Sequence, residues 1–304
     1  MTRYPVIRFP RQEPMRVPDL VLNCIGYLGH ASPDVTGSNF TPFATAFFVT
    51  VKSGVQYGGK YWYVVTAKHA IDRLTRDWPY LATNVRGEDR VLLDAFVPEG
   101  GRHWYYHPTD KTADVAVTQL SSAPDLDLLP IPCSMFLPRP KLVQYGIGVG
   151  DEVFYPGLFE HVAGVEGEGR ITPIVRTGAI AMFPREQVQV DIGDGRSHYM
   201  DVYLVESRSI GGLSGSPVFV RETATTCGKN CREARVLLHG VSHFHLLGLM
   251  TGHFDLTLDP AKINTGIAFV TPAEKILETL DQPDLLAVRG THEQYLKDQC
   301  STQT

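Results

Sequence analysis

In the segment Gly211-Gly212-Leu213-Ser214-Gly215-Ser216-Pro217, one serine stands among small residues just before the apolar run Val218-Phe219-Val220. A serine hydroxyl is a weak nucleophile at its own pKa, so acyl transfer at Ser214 needs a histidine base and a carboxylate to orient that base. Two upstream motifs offer them. Thr66-Ala67-Lys68-His69 closes the apolar run from Tyr61 to Val65, and Asp114-Val115-Ala116-Val117 begins another. Asp110 is a second, fallback carboxylate, without the apolar continuation that follows Asp114.

These three motifs, in the order His, Asp, Ser, resemble those of the trypsin-like (chymotrypsin-fold) serine peptidases. The likeness is greatest to the bacterial members and, around Gly211 to Val218, to the glutamyl endopeptidases. It extends from roughly Leu20 to Leu280, and Gly266-Ile267-Ala268-Phe269-Val270-Thr271-Pro272 resembles the close of the bacterial members. The resemblance implies two six-stranded barrels with an active site between them, His69 and Asp114 coming from the first barrel and Ser214 from the second. It implies Ser214 as nucleophile, His69 as general base and acid, and Asp114 as the carboxylate that fixes the imidazole tautomer. The backbone N–H groups of Gly212 and Ser214 would form the oxyanion hole, a role that suits a glycine at 212 because its backbone reaches conformations other residues resist. One departure stands out: the animal digestive enzymes carry an aspartate just before the nucleophile, whereas here that residue is Leu213. Activation through an ion pair at that aspartate is therefore not implied.

In the resembled family, specificity comes from residues shortly before the nucleophile and from the strand after it. Here these are Arg208, Ser209 and Ile210, then Val241 to His245. Arg208, His243 and His245 would favour a carboxylate, so Glu or Asp before the scissile bond is the expected preference. His243 and His245, with His239 and His253 nearby, could also be read as a metal cluster. No carboxylate or cysteine stands at a spacing that completes such a site, and neither a metal nor an organic cofactor is expected.

The elements that must carry these residues read as β-strands. Short runs rich in β-branched and aromatic residues recur at Val21–Leu28, Ala44–Val51, Tyr61–Thr66, Val91–Val97 and Val115–Leu120, separated by Gly, Pro and Asn. A second series follows at Glu152–Tyr155, Ile174–Met182, Val188–Ile192, Tyr199–Val205, Pro217–Val220, Arg235–Val241 and Gly266–Val270. Gly193-Asp194-Gly195 marks a turn between two of them. Ala70–Arg76 reads as a helical turn. Thr271 is the expected N-cap of a helix reaching about Leu280, with Pro272 at its first position and Glu274 completing a capping box. The fold class is therefore all-β, two packed six-stranded antiparallel β-barrels with a C-terminal helix.

The expected organisation is a Pro-rich arm over 1–19, a first barrel over 20–120, a proline-rich connection over 121–145 and a second barrel over 146–271. Residues 272–304 then hold the helix and a polar, loosely held tail. With 304 residues, of which 43% are hydrophobic, the chain can bury a sizeable core. A net charge of −5 speaks against a nucleic-acid partner, which needs clustered Lys and Arg. No run is apolar over the roughly 20 residues that a membrane helix needs. Without a signal-peptide pattern, a cytoplasmic protein with mostly reduced thiols is expected, Cys227 and Cys231 lying in a hairpin loop. The expected partner is a protein or peptide substrate, with an activating protein partner as a further possibility. A catalytically silent module of protease shape is the alternative.

Overall fold

The computed structural model describes residues 17–31, 40–55, 58–72, 74, 79–87, 91–95, 104–120, 126–159, 170–191, 197–207, 212–222, 225–227, 234–236, 244–258 and 261–302. The first half holds strands β1 (Ile25–Ala31), β2 (Phe40–Lys52), β3 (Lys60–Thr66), β4 (Tyr80–Asn84), β5 (Val91–Ala95), β6 (Tyr105–Tyr106), β7 (Ala116–Leu120) and β8 (Ile131–Pro132). They form one sheet in the order β5-β4-β1-β2-β3-β7-β6, with β8 running parallel beside β2. Six longer strands carry it; β6 and β8 are two-residue additions.

The second half holds β9 (Glu152–Gly157), β10 (Ile174–Met182), the hairpin β11 (Val188–Asp191) and β12 (Ser197–Met200), then β13 (Tyr203–Glu206) and β14 (Pro217–Arg221). A small hairpin β15 (Thr225–Cys227) and β16 (Ala234–Val236) precedes the long pair β17 (Phe244–Leu258) and β18 (Ala261–Pro272). Six of these close a barrel in the order β10-β13-β18-β17-β14-β9.

Side-chain alternation builds the core. On β14, Val218 and Val220 point into the barrel beside Val153, Tyr155 and Val205, while Phe219 points out. Phe219 stacks on Phe154 with ring centroids 5.2 Å apart, in an apolar cluster that also includes Phe47 and Val49 of the first half. Each such buried side chain contributes about 1.5–3 kcal/mol. The two halves are therefore held together by one face of β9 and β14 while the opposite face fills the barrel.

Among the described residues four α-helices occur: α1 (Lys68–Asp72), α2 (Arg139–Tyr145), α3 (Ala273–Leu280) and α4 (Pro283–Thr302). Several expectations change here. The start of the run at Val21 belongs to a 3-10 helix, Asp19–Cys24, and the strand begins only at Ile25. The proline-rich connection contains α2, whose left-handed C-cap is Gly146 (φ 69°). The N-cap of α3 is Pro272, with no side-chain cap bond. Thr271 instead places its hydroxyl 2.7 Å from that of Thr251, and the Glu274 carboxylate accepts the Arg139 N–H at 2.9 Å.

The tail is not loosely held. Leu285 is fully buried, and the Arg289 guanidinium donates to Tyr63 Oη at 3.0 Å, to the Leu280 carbonyl at 2.9 Å and to Asp281. Glu293 accepts from Ser53 Oγ and from the Gly54 N–H, at 2.9 and 2.7 Å. α4 thus docks on the β2–β3 end of the first sheet, chiefly through polar anchors. Among the described residues no helix is long and apolar enough to cross a membrane.

Candidate active site

The pairing of β3 with β7 explains how His69 and Asp114 meet. Thr66 lies opposite Ala116, Val65 opposite Val117 and Val64 opposite Thr118. His69, just past the end of β3, and Asp114, just before the start of β7, therefore emerge from the same end of neighbouring antiparallel strands. α1 then turns the His69 ring inward, leaving the residue 6% exposed.

Asp114 binds His69 twice. Its Oδ1 accepts the His69 backbone N–H at 2.8 Å, and its Oδ2 lies 2.8 Å from ring Nδ1. Burial by itself would push the Asp114 carboxyl pKa up. The nearby imidazole, the hydrogen bonds from the His69 ring and backbone, and Lys68 together outweigh it and hold the carboxyl below the usual range. An ionised Asp114 requires Nδ1–H to donate, which leaves Nε2 as an acceptor. His69 Nε2 lies 3.1 Å from Ser214 Oγ.

Asp110, the fallback carboxylate, is engaged elsewhere. Its Oδ1 accepts the Thr112 N–H and hydroxyl at 3.0 and 2.6 Å, and its Oδ2 pairs with Lys275 of α3 at 2.9 Å. The Asp110 N–H donates to Nδ1 of His107, whose Nε2 lies 2.5 Å from Glu278. The loop leading to Asp114 is thus tied to α3, an arrangement no sequence motif announced.

Ser214 lies between two glycines that only glycine geometry permits. Gly212 and Gly215 have φ of 87° and 86°, in the left-handed region. A Cβ at Gly215 would lie 2.1 Å from the Thr45 carbonyl oxygen and 2.5 Å from Thr66 Oγ1. The loop is pinned on one side by the Thr45 N–H, which donates to the Ser214 carbonyl at 3.0 Å, and on the other by the Gly215 N–H, which donates to Met250 at 2.8 Å. Ser214 Oγ also lies 3.4 Å from the Thr251 carbonyl of β17. Leu213, where the digestive enzymes carry an aspartate, is fully buried in the barrel core. Thr45 and Thr251 escaped sequence reasoning, because threonines within strands carry no positional signal.

Arg208, Ser209 and His243 lie outside the described residues, as do Ile210, Gly211 and His239. His245 is described and is engaged: Nε2 lies 2.6 Å from Glu222 Oε1, and the ring packs 4.4 Å from Tyr145. His253 lies 3.2 Å from Asp255 Oδ1. Among the described residues no group of three metal-ligating side chains occurs. Among the described residues Cys24, Cys133 and Cys300 are free thiols; Cys227 ends β15, and Cys231 lies outside the described residues.

The protease domain of MamO from Magnetospirillum magneticum, in its apo form, matches 87% of this chain and 99% of its own with a TM-score of 0.51 at 14% identity. The fold is chymotrypsin-like. The Rv3671c protease from M. tuberculosis in its active form covers 92% of this chain and 91% of its own, with a TM-score of 0.45 and 17% identity. No protein-family model and no curated protein matches the chain. Within the chymotrypsin-like frame, Ser214, His69 and Asp114 lie where the two halves meet. They form a linear relay able to draw a proton from a hydroxyl and return it to a leaving group.

Proposed function

We propose that the chain is a serine endopeptidase that cleaves peptide bonds through an acyl-enzyme. The supporting observation is the placement of one imidazole 2.8 Å from a buried carboxylate and 3.1 Å from a serine hydroxyl. Ser214 Oγ attacks the scissile carbonyl carbon while its proton passes to His69 Nε2. The resulting imidazolium is stabilised by Asp114 and gives that proton to the leaving amine. Water then repeats the sequence on the ester and frees Ser214. The oxyanion formed in each half-reaction would lie against the N–H groups of Gly212 and Ser214. Among the described residues, neither donates to a protein acceptor.

β17 suits an extended substrate. Met250 is bonded to the nucleophile loop through Gly215 and Ser216, and among the described residues the following stretch, Gly252 to Leu258, pairs only with β18. The free edge starts beside Ser214, where a peptide adding as a further strand would present its carbonyl to the hydroxyl. A preference for Glu or Asp before the scissile bond now rests on Arg208 and His243, since His245 is committed to Glu222.

A fluorophosphonate probe tests the activity. It is expected to label the wild type at Ser214 and to leave Ser214→Ala unlabelled and without peptidase turnover. An unlabelled wild type would instead identify a catalytically silent module. A peptide-library profile dominated by basic or large apolar residues before the cleaved bond would sink the acidic preference.

A further inference from the structure

Thr45 lies within β2 of the first sheet and is fully buried. Its hydroxyl donates to the Gly212 carbonyl at 2.8 Å and accepts the Leu158 N–H at 2.9 Å. Its backbone N–H donates to the Ser214 carbonyl at 3.0 Å, and its carbonyl accepts Thr66 Oγ1 at 2.8 Å. Leu158, held by the same hydroxyl, forms the wall behind Gly212: a Cβ there would lie 2.9 Å from Leu158 Cγ and 3.2 Å from the Leu158 carbonyl oxygen.

We propose that Thr45 is a positioning residue for the oxyanion donors, its hydroxyl reaching from the first sheet to hold the Gly212 carbonyl and the Leu158 wall behind it, and so to restrict the Gly212 backbone conformation that aims the Gly212 N–H. The inference rests on the serine-peptidase reading above. A glycine at φ 87° has wide conformational freedom. With its carbonyl anchored and the space a Cβ would occupy closed by Leu158, that freedom is narrowed, and with it the range of directions open to the N–H. A donor aimed before the charge develops stabilises the transition state without reorganising, so the effect falls on kcat rather than on substrate binding. The nucleophile loop of the second half is thus completed by a side chain of the first, and the site is built only when the halves are docked.

Thr45→Val removes the hydroxyl at nearly constant shape, and Thr45→Ser restores it. Peptide turnover is measured per active site, counted by fluorophosphonate titration carried to completion. Thr45→Val is expected to lower kcat about 10- to 100-fold with KM within about threefold, and Thr45→Ser to stay within about threefold of wild type. Should the valine variant fail to fold, Thr45→Ala carries the same expectation. Thr279→Val is the control, deleting a buried hydroxyl that bonds the Lys275 carbonyl at 2.7 Å, away from the site; its kcat is expected to be unchanged. Unchanged kcat in Thr45→Val, an equal loss in Thr45→Ser, or an equal loss in Thr279→Val would overturn the role of Thr45. An unlabelled wild type would instead overturn the peptidase reading, and the role of Thr45 with it.

Discussion

Asp114 grips His69 by ring and backbone together, through two 2.8 Å contacts to its two carboxylate oxygens. A ring contact alone would orient the imidazole yet let α1 drift. The backbone contact fixes where the helix starts, so the end of β3, the start of β7 and the imidazole are set by one side chain. This geometry makes Asp114 sensitive to a change of one atom.

Asp114→Asn keeps an oxygen for the His69 backbone N–H but turns an NH₂ toward Nδ1, which must then be the acceptor. Nε2 becomes the protonated nitrogen and can no longer take the Ser214 proton. If the chain is a serine peptidase, kcat falls by about 10⁴-fold with the fold intact. The Asp114 carboxyl is held below its usual range in the folded protein. Its contribution to stability is therefore fully present above the unfolded value of about 4 and is lost as pH falls through the lower folded value. Denaturant unfolding of wild type and Asp114→Asn should differ most near pH 6 and converge in acid. A difference that persists unchanged down to pH 2 would contradict the assignment of charge.

Lys275 and Asp110 give a second acid-sensitive contact. Burial raises the Asp110 carboxyl, but the hydrogen bonds from Thr112 and the Lys275 ammonium bring it down to about 2. Its stabilising effect is complete above about pH 4 and is lost as pH falls through about 2. Asp110→Asn is expected to cost about 1 kcal/mol at pH 6 and progressively less as pH falls from about 4 through about 2. Thermal unfolding across that interval measures the trend, and a Tm difference independent of pH would contradict it.

His69, Asp114 and Ser214 could be picked out of the sequence because each follows or precedes a recognisable apolar run. His69 and Asp114 flank β3 and β7, whose Tyr61 to Val65 and Val115 to Val117 read as strands. β17 was harder to see. It bulges where Val218 and Phe219 face Gly248 and Leu246, and it is buried on both faces from Leu246 to Thr251, so the two-residue alternation is absent. α4 was missed for another reason: Arg289 and Glu293 dock it through charge and hydrogen bonds, which no apolar stripe reports. Glu274 misled because Thr271-Pro272-Ala273-Glu274 satisfies a capping pattern locally, while tertiary contacts offered Thr271 a hydroxyl and Glu274 an arginine.

Arg289 is the test of α4. Its guanidinium is almost fully buried among Tyr63 Oη, the Leu280 carbonyl and Asp281. Arg289→Met keeps most of the side-chain volume but removes the donors, leaving a buried hydroxyl and carbonyl without them. The expected loss is about 2–4 kcal/mol in denaturant unfolding, with early proteolytic clipping within 283–302. Loss of less than about 0.5 kcal/mol would mean that α4 is held by Leu285 rather than by the arginine.

Gly215 separates the strain in the nucleophile loop from the cost of a left-handed residue in general. Gly215→Ala meets two obstacles: φ of 86° disfavours any side chain, and the new Cβ would lie 2.1 Å from the Thr45 oxygen. Gly87 has φ of 73° with no atom within 4 Å of such a Cβ, so Gly87→Ala reports the backbone term alone, about 1–2 kcal/mol. Gly215→Ala adds a clash against buried backbone and is expected to cost more than about 3 kcal/mol. Relief of that clash requires β2 and the Ser214 loop to move apart, so labelling of Ser214 should slow at least about 100-fold in whatever folded protein remains. Equal stability losses in the two variants, or normal labelling in Gly215→Ala, would show that the loop can relax without separating Ser214 from Thr45.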